Sequence, residues 1–80
     1  MYLEIITPDK NIFSGEISLI QLPGTNGSFE ILNDHAPLIS TLSNGKIKII
    51  DAEKNNQFFE IKSGVVEVLK NKIIVLAENA

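Results

Sequence analysis

The residues best suited to chemistry lie together in LPGTNGSFEILNDHAPLISTL, residues 22–42. This stretch contains the only histidine, His35, directly after Asp34, with Ser40 a short distance beyond. An acid, a base and a hydroxyl are the groups of a hydrolase triad, but a triad depends on placement in three dimensions, and adjacent residues of an extended chain point to opposite faces. The spacing therefore disfavours catalysis. We expect His35 to hydrogen-bond locally or to contact a partner.

The same stretch is a weak match to a metal site or a phosphate loop. One histidine and no cysteine do not make a usual zinc ligand set. Gly24 and Gly27 superficially resemble a phosphate loop, but Ser28 and Phe29 follow where that motif has a lysine and a hydroxyl residue. Since no nucleophile and base or pair of carboxylates stands out elsewhere, the sequence predicts no catalytic, metal-binding or cofactor-binding residues.

Composition limits the class of protein and its partners. A chain of 80 residues with 44% hydrophobic and 21% charged residues is expected to form one folded domain over residues 1–80. The net charge is -3, and all seven basic residues are lysines, which disfavours nucleic acid as a partner. The absence of cysteine favours the cytoplasm over secretion. We expect neither a signal peptide nor a membrane anchor, because no run approaches the ~20 apolar residues of a membrane span.

Short strands must position these residues. Residues 2–7 alternate apolar and polar side chains, which predicts a strand at a sheet edge that Pro8 ends. A later shift in the phase of alternation predicts a bulge near Leu19 or Ile20. Residues 46–51 and 57–62 read as one hairpin, and residues 65–70 and 72–78 read as a second. The dipeptides expected to break or turn the chain are Ser14-Gly15, Pro23-Gly24, Asn26-Gly27, Asn33-Asp34, Asn44-Gly45 and Ser63-Gly64.

No segment has the apolar periodicity of a helix. The pattern therefore predicts an all-β domain of about ten short strands, arranged as a two-sheet sandwich or flattened barrel. Several strands are apolar on both faces, as at Val65-Val66 and from Ile73 to Leu76. A sandwich has one interior. Either these are ordinary single exposed residues, or an outer face docks a partner.

The motifs taken together resemble a known family. LPGTNGSFEILNDHAPLISTL followed by NGKIKI resembles the signature region of the epsilon subunit of bacterial F-type ATP synthases, the equivalent of the mitochondrial delta subunit. Three further segments, Phe13-Ser14-Gly15, residues 64–68 and residues 74–78, resemble the N-terminal β-sandwich domain of that family. The resemblance implies a non-catalytic rotor domain at the foot of the central stalk. It would bind the gamma subunit and the membrane c-ring, couple proton flow to ATP synthesis, and lie peripherally at the cytoplasmic face of the bacterial inner membrane.

The resemblance also implies contact residues by their position in the motif. Those expected at the c-ring are Ser28, Glu30, Asp34 and His35. Those expected at the gamma subunit are Thr7, Pro37, Leu38, Ser40 and Leu42. Several family members have a carboxylate at the position of Ser28, commonly a glycine at that of Glu30, and commonly a Pro-Gly pair at that of Asn33-Asp34. We therefore expect Glu30 or Asp34 to supply the charge at the ring.

Two further expectations concern the whole chain. Most epsilon subunits continue into two C-terminal helices, whereas this sequence stops at Ala80, so we expect the helical hairpin to be absent. The alternative interpretation is a free-standing β-sandwich binding module for a peptide or small ligand. That function would require a concave pocket in place of a flat apolar patch.

Overall fold

The computed structural model describes residues 1–79, and the chain in that range is all-β, as predicted. The seven strands are β1 (Tyr2–Ile6), β2 (Asn11–Gly24), β3 (Gly27–Leu32), β4 (Leu38–Leu42), β5 (Gly45–Asp51), β6 (Asn56–Leu69) and β7 (Lys72–Asn79). Within the predicted domain of residues 1–80, Ala80 lies outside the described residues.

The chain has seven strands in the described residues where the sequence predicted about ten, because two strands are long. β2 and β6 have 14 residues each and run through Ser14-Gly15 and Ser63-Gly64, which the sequence predicted as breaks. Gly15 pairs with Leu3 and Gly64 with Leu42, so both glycines belong to strand ladders. Neither has the positive φ that a tight turn would demand of it.

The two long strands join two layers. The first layer contains β1, β4, β7, the first half of β2 and the second half of β6, and the second layer contains β3, β5 and the remaining halves. Register shifts between Ile17 and Leu19, and between Ile61 and Ser63, mark where each long strand changes partners. The first shift lies beside the bulge predicted near Leu19. Because β1, β2, β5, β6 and β7 pair in a closed ring, the sandwich is also a flattened barrel.

β1 is not the edge strand predicted from the sequence. It pairs antiparallel with β2 and parallel with β7, where Leu3 stands opposite Ile73. Leu3 and Ile5 are fully buried, as their alternation predicted. The edge expectation failed because the second neighbour comes from the other end of the chain, and local pattern carries no information about it.

Both predicted hairpins are confirmed. β5 pairs with β6, and β6 pairs with β7. The second hairpin turns at Lys70 and Asn71, whose φ angles are 50° and 64°. Positive φ at both residues is typical of the type I′ turn, whose twist matches the right-handed twist of the paired strands.

One apolar core fills the space between the layers. Phe13 and Phe59 close its side in an edge-to-face pair, with ring centroids 5.8 Å apart. The buried core side chains are Met1, Leu3, Ile5, Ile17, Ile20, Leu22, Ile31, Leu42, Ile47, Ile49, Ile61, Val66, Val68, Ile73, Val75 and Ala77.

Candidate interaction surfaces

The loop between β3 and β4 holds Asp34 and His35 on the surface. Asp34 has a φ of 61°, and its backbone N–H donates to Oδ1 of Asn71 at 2.8 Å. Nδ1 of His35 lies 2.7 Å from the carbonyl oxygen of Ala36, to which the Nδ1–H tautomer donates. Both side chains are exposed. His35 therefore makes the local hydrogen bond expected of it and keeps most of its ring available to a partner.

The four predicted ring contacts fall into two groups. Ser28 and Glu30 are exposed on β3, where Ser28 stands opposite Pro23 beside the turn from β2. Glu30 accepts a hydrogen bond from Nε2 of Gln21 at 3.2 Å. Asp34 and His35 follow the opposite end of β3, which lies about 13 Å along the strand from Ser28 at ~3.3 Å per residue. The structure therefore brings Asp34 and His35 together and leaves Ser28 apart from them.

The predicted gamma contacts on β4 face mostly inward. Leu38, Ser40 and Leu42 stand opposite residues on the inner side of β6, and Leu42 is buried. The outward side of β4 presents Thr41 and Ile39, and the Ile39 side chain is 71% exposed. Sequence reasoning missed Ile39. Strict alternation from a buried Leu42 was the signal that could have found it.

The other two predicted gamma contacts lie outside β4. Thr7 is buried, and its hydroxyl both donates to the carbonyl oxygen of Lys10 at 3.1 Å and accepts from the Lys10 N–H at 3.3 Å. These bonds close the turn from β1 to β2. Pro37 is exposed just before β4.

Thr7 and Leu42 both line an open groove of about 630 Å³ across the first layer. Gly64, Val65 and Leu76 form part of its apolar lining. The Thr7 hydroxyl is already engaged with Lys10, so the groove offers mainly apolar contact.

An apolar surface continues from the groove over the outside of β4, β6 and β7. We name it the apolar face and define it by Ile39, Val65, Leu69, Ile74 and Leu76. Cross-strand pairing places these side chains on one side of the layer, since Val65 stands opposite Leu76, and Glu67 stands opposite both Ile39 and Ile74. Four of the five are large exposed hydrophobics, and the ion pair between Lys72 and Glu4, 3.7 Å apart, borders them. The outward apolar residues of these strands are thus gathered on one side of the layer, around the exposed carboxylate of Glu67.

The outer side of the second layer is mixed in character. Its exposed apolar residues are Leu32 and Phe58. Glu30, Gln21 and Lys48 fill the row that ends at Phe58, because these residues stand opposite one another across β3, β2 and β5. The two outer faces therefore differ in the number of large apolar side chains that they expose among the described residues, which is four on the apolar face and two here.

Asp51 organises the turn between β5 and β6. Its Oδ1 accepts the N–H groups of Glu53 and Asn55 at 3.0 and 2.9 Å, and its Oδ2 accepts from Nε2 of Gln57 at 2.9 Å. The N–H of Asn55, with the side chain of Gln57, holds the pKa of the Asp51 carboxyl below its usual value, against the opposing effect of burial. All of these partners lie in the turn or at the start of β6, so Asp51 has a structural role.

Within residues 1–79 no three His, Asp or Glu side chains lie close enough to hold a metal ion. The same residues contain no helix long and apolar enough to cross a membrane.

Comparison with known proteins assigns the family. Residues 1–80 match the family model described as ATP synthase, delta/epsilon chain, β-sandwich domain. The chain belongs to this family. It is 43% identical over 76 residues to the ATP synthase epsilon chain of Chlorobaculum tepidum, an alignment that covers 95% of this chain and 86% of that relative. It is 40% identical over 80 residues to the ATP synthase epsilon chain of Campylobacter curvus, covering all of this chain and 62% of that relative.

A solved structure matches the fold of this epsilon-family chain closely. The similar chain belongs to the mitochondrial ATP synthase of Euglena gracilis, described as an OSCP/F1/c-ring assembly in one rotational state. Its TM-score is 0.87 at 17% identity, over 94% of this chain and 48% of the Euglena chain. Similarity at that identity establishes the β-sandwich fold. The resemblance inferred from the sequence motifs is confirmed.

Proposed function

We propose that this chain is a non-catalytic subunit of the central stalk of a proton-translocating F-type ATP synthase. It joins the gamma shaft to the c-ring and helps couple ion flow to ATP synthesis. Membership of the family supports this function, as does the name ATP synthase epsilon chain of its relatives. The structural observation that carries the proposal is the apolar face with its groove, which offers a docking surface for a partner.

The apolar face is the proposed site for gamma. A stable protein interface buries roughly 800 Å² on each partner and has an apolar centre. Ile39, Leu76 and their neighbours are exposed on adjacent strands and form such a centre. The groove extends the face toward Thr7 and Leu42, two of the residues proposed as gamma contacts. Pro37, Leu38 and Ser40 remain proposed contacts through the loop and strand that border the face.

The ring contact is proposed at the polar surface formed by β3 and the following loop. Asp34 and His35 are exposed there, and Glu30 and Ser28 lie along the strand that leads to the loop. Since Ser28 carries no charge, Asp34 or Glu30 supplies the carboxylate of the contact. The assembled complex would hold the chain peripherally at the cytoplasmic face of the bacterial inner membrane.

The architecture suits a subunit that carries force between two partners. The closed ring of paired strands and the fully buried core between the layers resist shear, because close-packed interiors have low compressibility and transmit strain. Contacts on different sides of such a body move together.

Binding to the gamma subunit of the same organism tests the proposal. We expect native mass spectrometry of the purified mixture to detect a one-to-one complex, and we expect that complex to bind the detergent-solubilised c-ring. Absence of a complex with gamma at micromolar concentrations would reject the rotor function.

The free-standing binding module is the alternative, and the volume of the groove is the observation in its favour. About 630 Å³ lies within the range of small-molecule pockets. The groove is open, however, and its buried hydroxyl on Thr7 is engaged internally. If gamma does not bind, ligand-dependent shifts in Tm that disappear on substitution of groove residues would support this alternative.

A further inference from the structure

Two turns that are distant in sequence are joined through one side chain, that of Asn71. Its Nδ2 donates to Oδ1 of Asn33 at 2.9 Å, and its Oδ1 accepts the backbone N–H of Asp34 at 2.8 Å. Asn71 lies in the turn between β6 and β7, and its two partners lie directly after β3. Both polar atoms of its amide are therefore used to hold the other turn.

The backbone of Asn71 has a conformation that asparagine tolerates and that glycine adopts without steric cost. Asn71 has a φ of 64°, as the second residue of a two-residue hairpin turn. Glycine is the usual residue at this position because it reaches positive φ without steric cost. Asparagine tolerates the conformation less well than glycine. The two hydrogen bonds to the neighbouring turn offset that cost.

Asn71 also holds Asp34, the residue of the loop that has a positive φ. Asp34 has a φ of 61°, and the hydrogen bond from its N–H to Asn71 fixes its peptide plane. The next residue is His35, whose described hydrogen bond goes only to the adjacent Ala36. The N-terminal ammonium of Met1 also donates to Oδ1 of Asn33, at 3.3 Å. The contact with Asn71 is the one that reaches Asp34 itself, and it therefore helps to set the orientation of both exposed side chains.

We propose that Asn71 is a positioning residue for the c-ring contact. It holds the turn at Asn33 and Asp34 in one orientation, so that Asp34 and His35 meet the ring without a further ordering cost. The inference rests on the proposed function, in which these two residues contact the ring. A binding loop that is ordered in advance gains affinity because less conformational freedom is lost on association.

Hydrogen exchange tests the structural part of the proposal on the free chain. Asn71→Gly removes the amide and keeps a residue suited to the φ of the turn. Lys70→Gly is the matched control, since Lys70 precedes it in the same turn with a φ of 50° and an exposed side chain. We expect the Asp34 amide to exchange about five- to tenfold faster in Asn71→Gly, the effect of one lost hydrogen bond, and within about twofold of the parent in Lys70→Gly. Equal exchange in parent and Asn71→Gly would overturn the proposal.

Affinity for the two partners tests the functional part. We expect the complex of Asn71→Gly with gamma to bind the detergent-solubilised c-ring about three- to tenfold more weakly than the parent complex, while affinity for gamma stays unchanged. Faster exchange at Asp34 with unchanged ring affinity would overturn the positioning role. Equal losses for gamma and ring would also overturn it, because they indicate a general structural defect.

Failure of the proposed function would give a different result. If the parent chain itself binds neither gamma nor the ring, the rotor function is rejected. The exchange rates of the Asp34 amide would still decide whether Asn71 holds the turn.

Discussion

The apolar face and the turn at Asn33 and Asp34 present opposite kinds of surface on one small scaffold. The apolar face lies on regular strands, and its attraction for a partner comes from buried area, which has no preferred direction. The turn presents exposed charge and hydrogen-bonding groups and is itself held by directional hydrogen bonds. Apolar area supplies affinity, whereas polar groups fix register and association rate. The two regions therefore suit two different tasks, tight attachment to one partner and oriented contact with another.

The largest expected effect comes from placing a charge on the apolar face. Leu76→Glu should weaken binding to gamma about 100-fold, because an unpaired carboxylate would be buried at the centre of the interface. Leu32→Glu is the control, since Leu32 is 53% exposed on the other outer face and Leu76 is 55% exposed. We expect it to change gamma affinity less than about threefold. Isothermal titration calorimetry measures the affinity of both variants for gamma. Equal losses of affinity would show that gamma does not distinguish the two faces.

The second effect concerns the close backbone approach beneath the apolar face. A Cβ added at Gly64 would lie 2.7 Å from the carbonyl oxygen of Leu76, so β6 and β7 would have to separate. We expect Gly64→Ala to lower the free energy of unfolding by about 2 kcal/mol. Gly15→Ala is the control, because its nearest contact would be an ordinary 3.5 Å from the Phe13 ring, and we expect a change within about 0.5 kcal/mol. Urea denaturation compares them, and an undiminished stability in Gly64→Ala would show that the strands adjust freely there.

A smaller effect is expected at the polar turn, and it should depend on salt. Asp34→Lys should weaken association with the c-ring about fivefold at low ionic strength and less at high ionic strength, because salt screens exposed charges. Lysine tolerates the backbone at this position, as Lys70 adopts a φ of 50° in the same protein. The same measurement on Glu30→Lys shows whether the carboxylate of Glu30 contributes to association with the c-ring. If ring association is unchanged at every salt concentration, the substituted residue is not a contact. Affinity for gamma should be unaffected by either variant.

The smallest effect is a test of pH dependence at the turn formed by Asp51. Hydrogen bonds hold the pKa of this carboxyl below its ordinary value, and the one from the Asn55 N–H has the largest effect. Its contribution to stability is therefore complete above the unfolded pKa and is lost as pH falls through the lower folded pKa. We expect Asp51→Asn to lower Tm by about 5 °C at pH 7. The difference in Tm between the variant and the parent should decrease as the pH falls below about 4. Thermal melts followed by circular dichroism measure this difference in Tm. A difference that stays constant down to about pH 2.5 would exclude a link between the ionisation of Asp51 and stability.

Much of the local structure could be predicted from the sequence. The alternation around Leu3 and Ile5 identified buried positions, and both C-terminal hairpins lie where the turn residues indicated. The breaks expected at Ser14-Gly15 and Ser63-Gly64 were wrong, because a glycine in an extended strand and a glycine in a turn look alike without their φ angles.

The candidate sites were less predictable than the fold. The motif of residues 22–42 located the exposed loop and indicated the family, but it led to inward-facing residues of β4 and missed Ile39. The sequence indicated Asn71 only as the turn of the second hairpin, since its further role depends on a contact with Asp34, 37 residues away. Contact residues inferred from motif position identify a segment of chain, whereas the side on which each side chain lies is set by strand register.

The sequence by itself determined the all-β class, the inward side of β1 and the family, because alternation, turn residues and motif are local properties of the chain. Only the tertiary structure decided the parallel pairing of β1 with β7, the gathering of Ile39 and Leu76 into one apolar face, and the contact of Asn71 with Asp34. Each of these joins residues that are distant in sequence. Burial of apolar area drives the chain to collapse without choosing partners, and the register of paired strands then selects which distant residues meet.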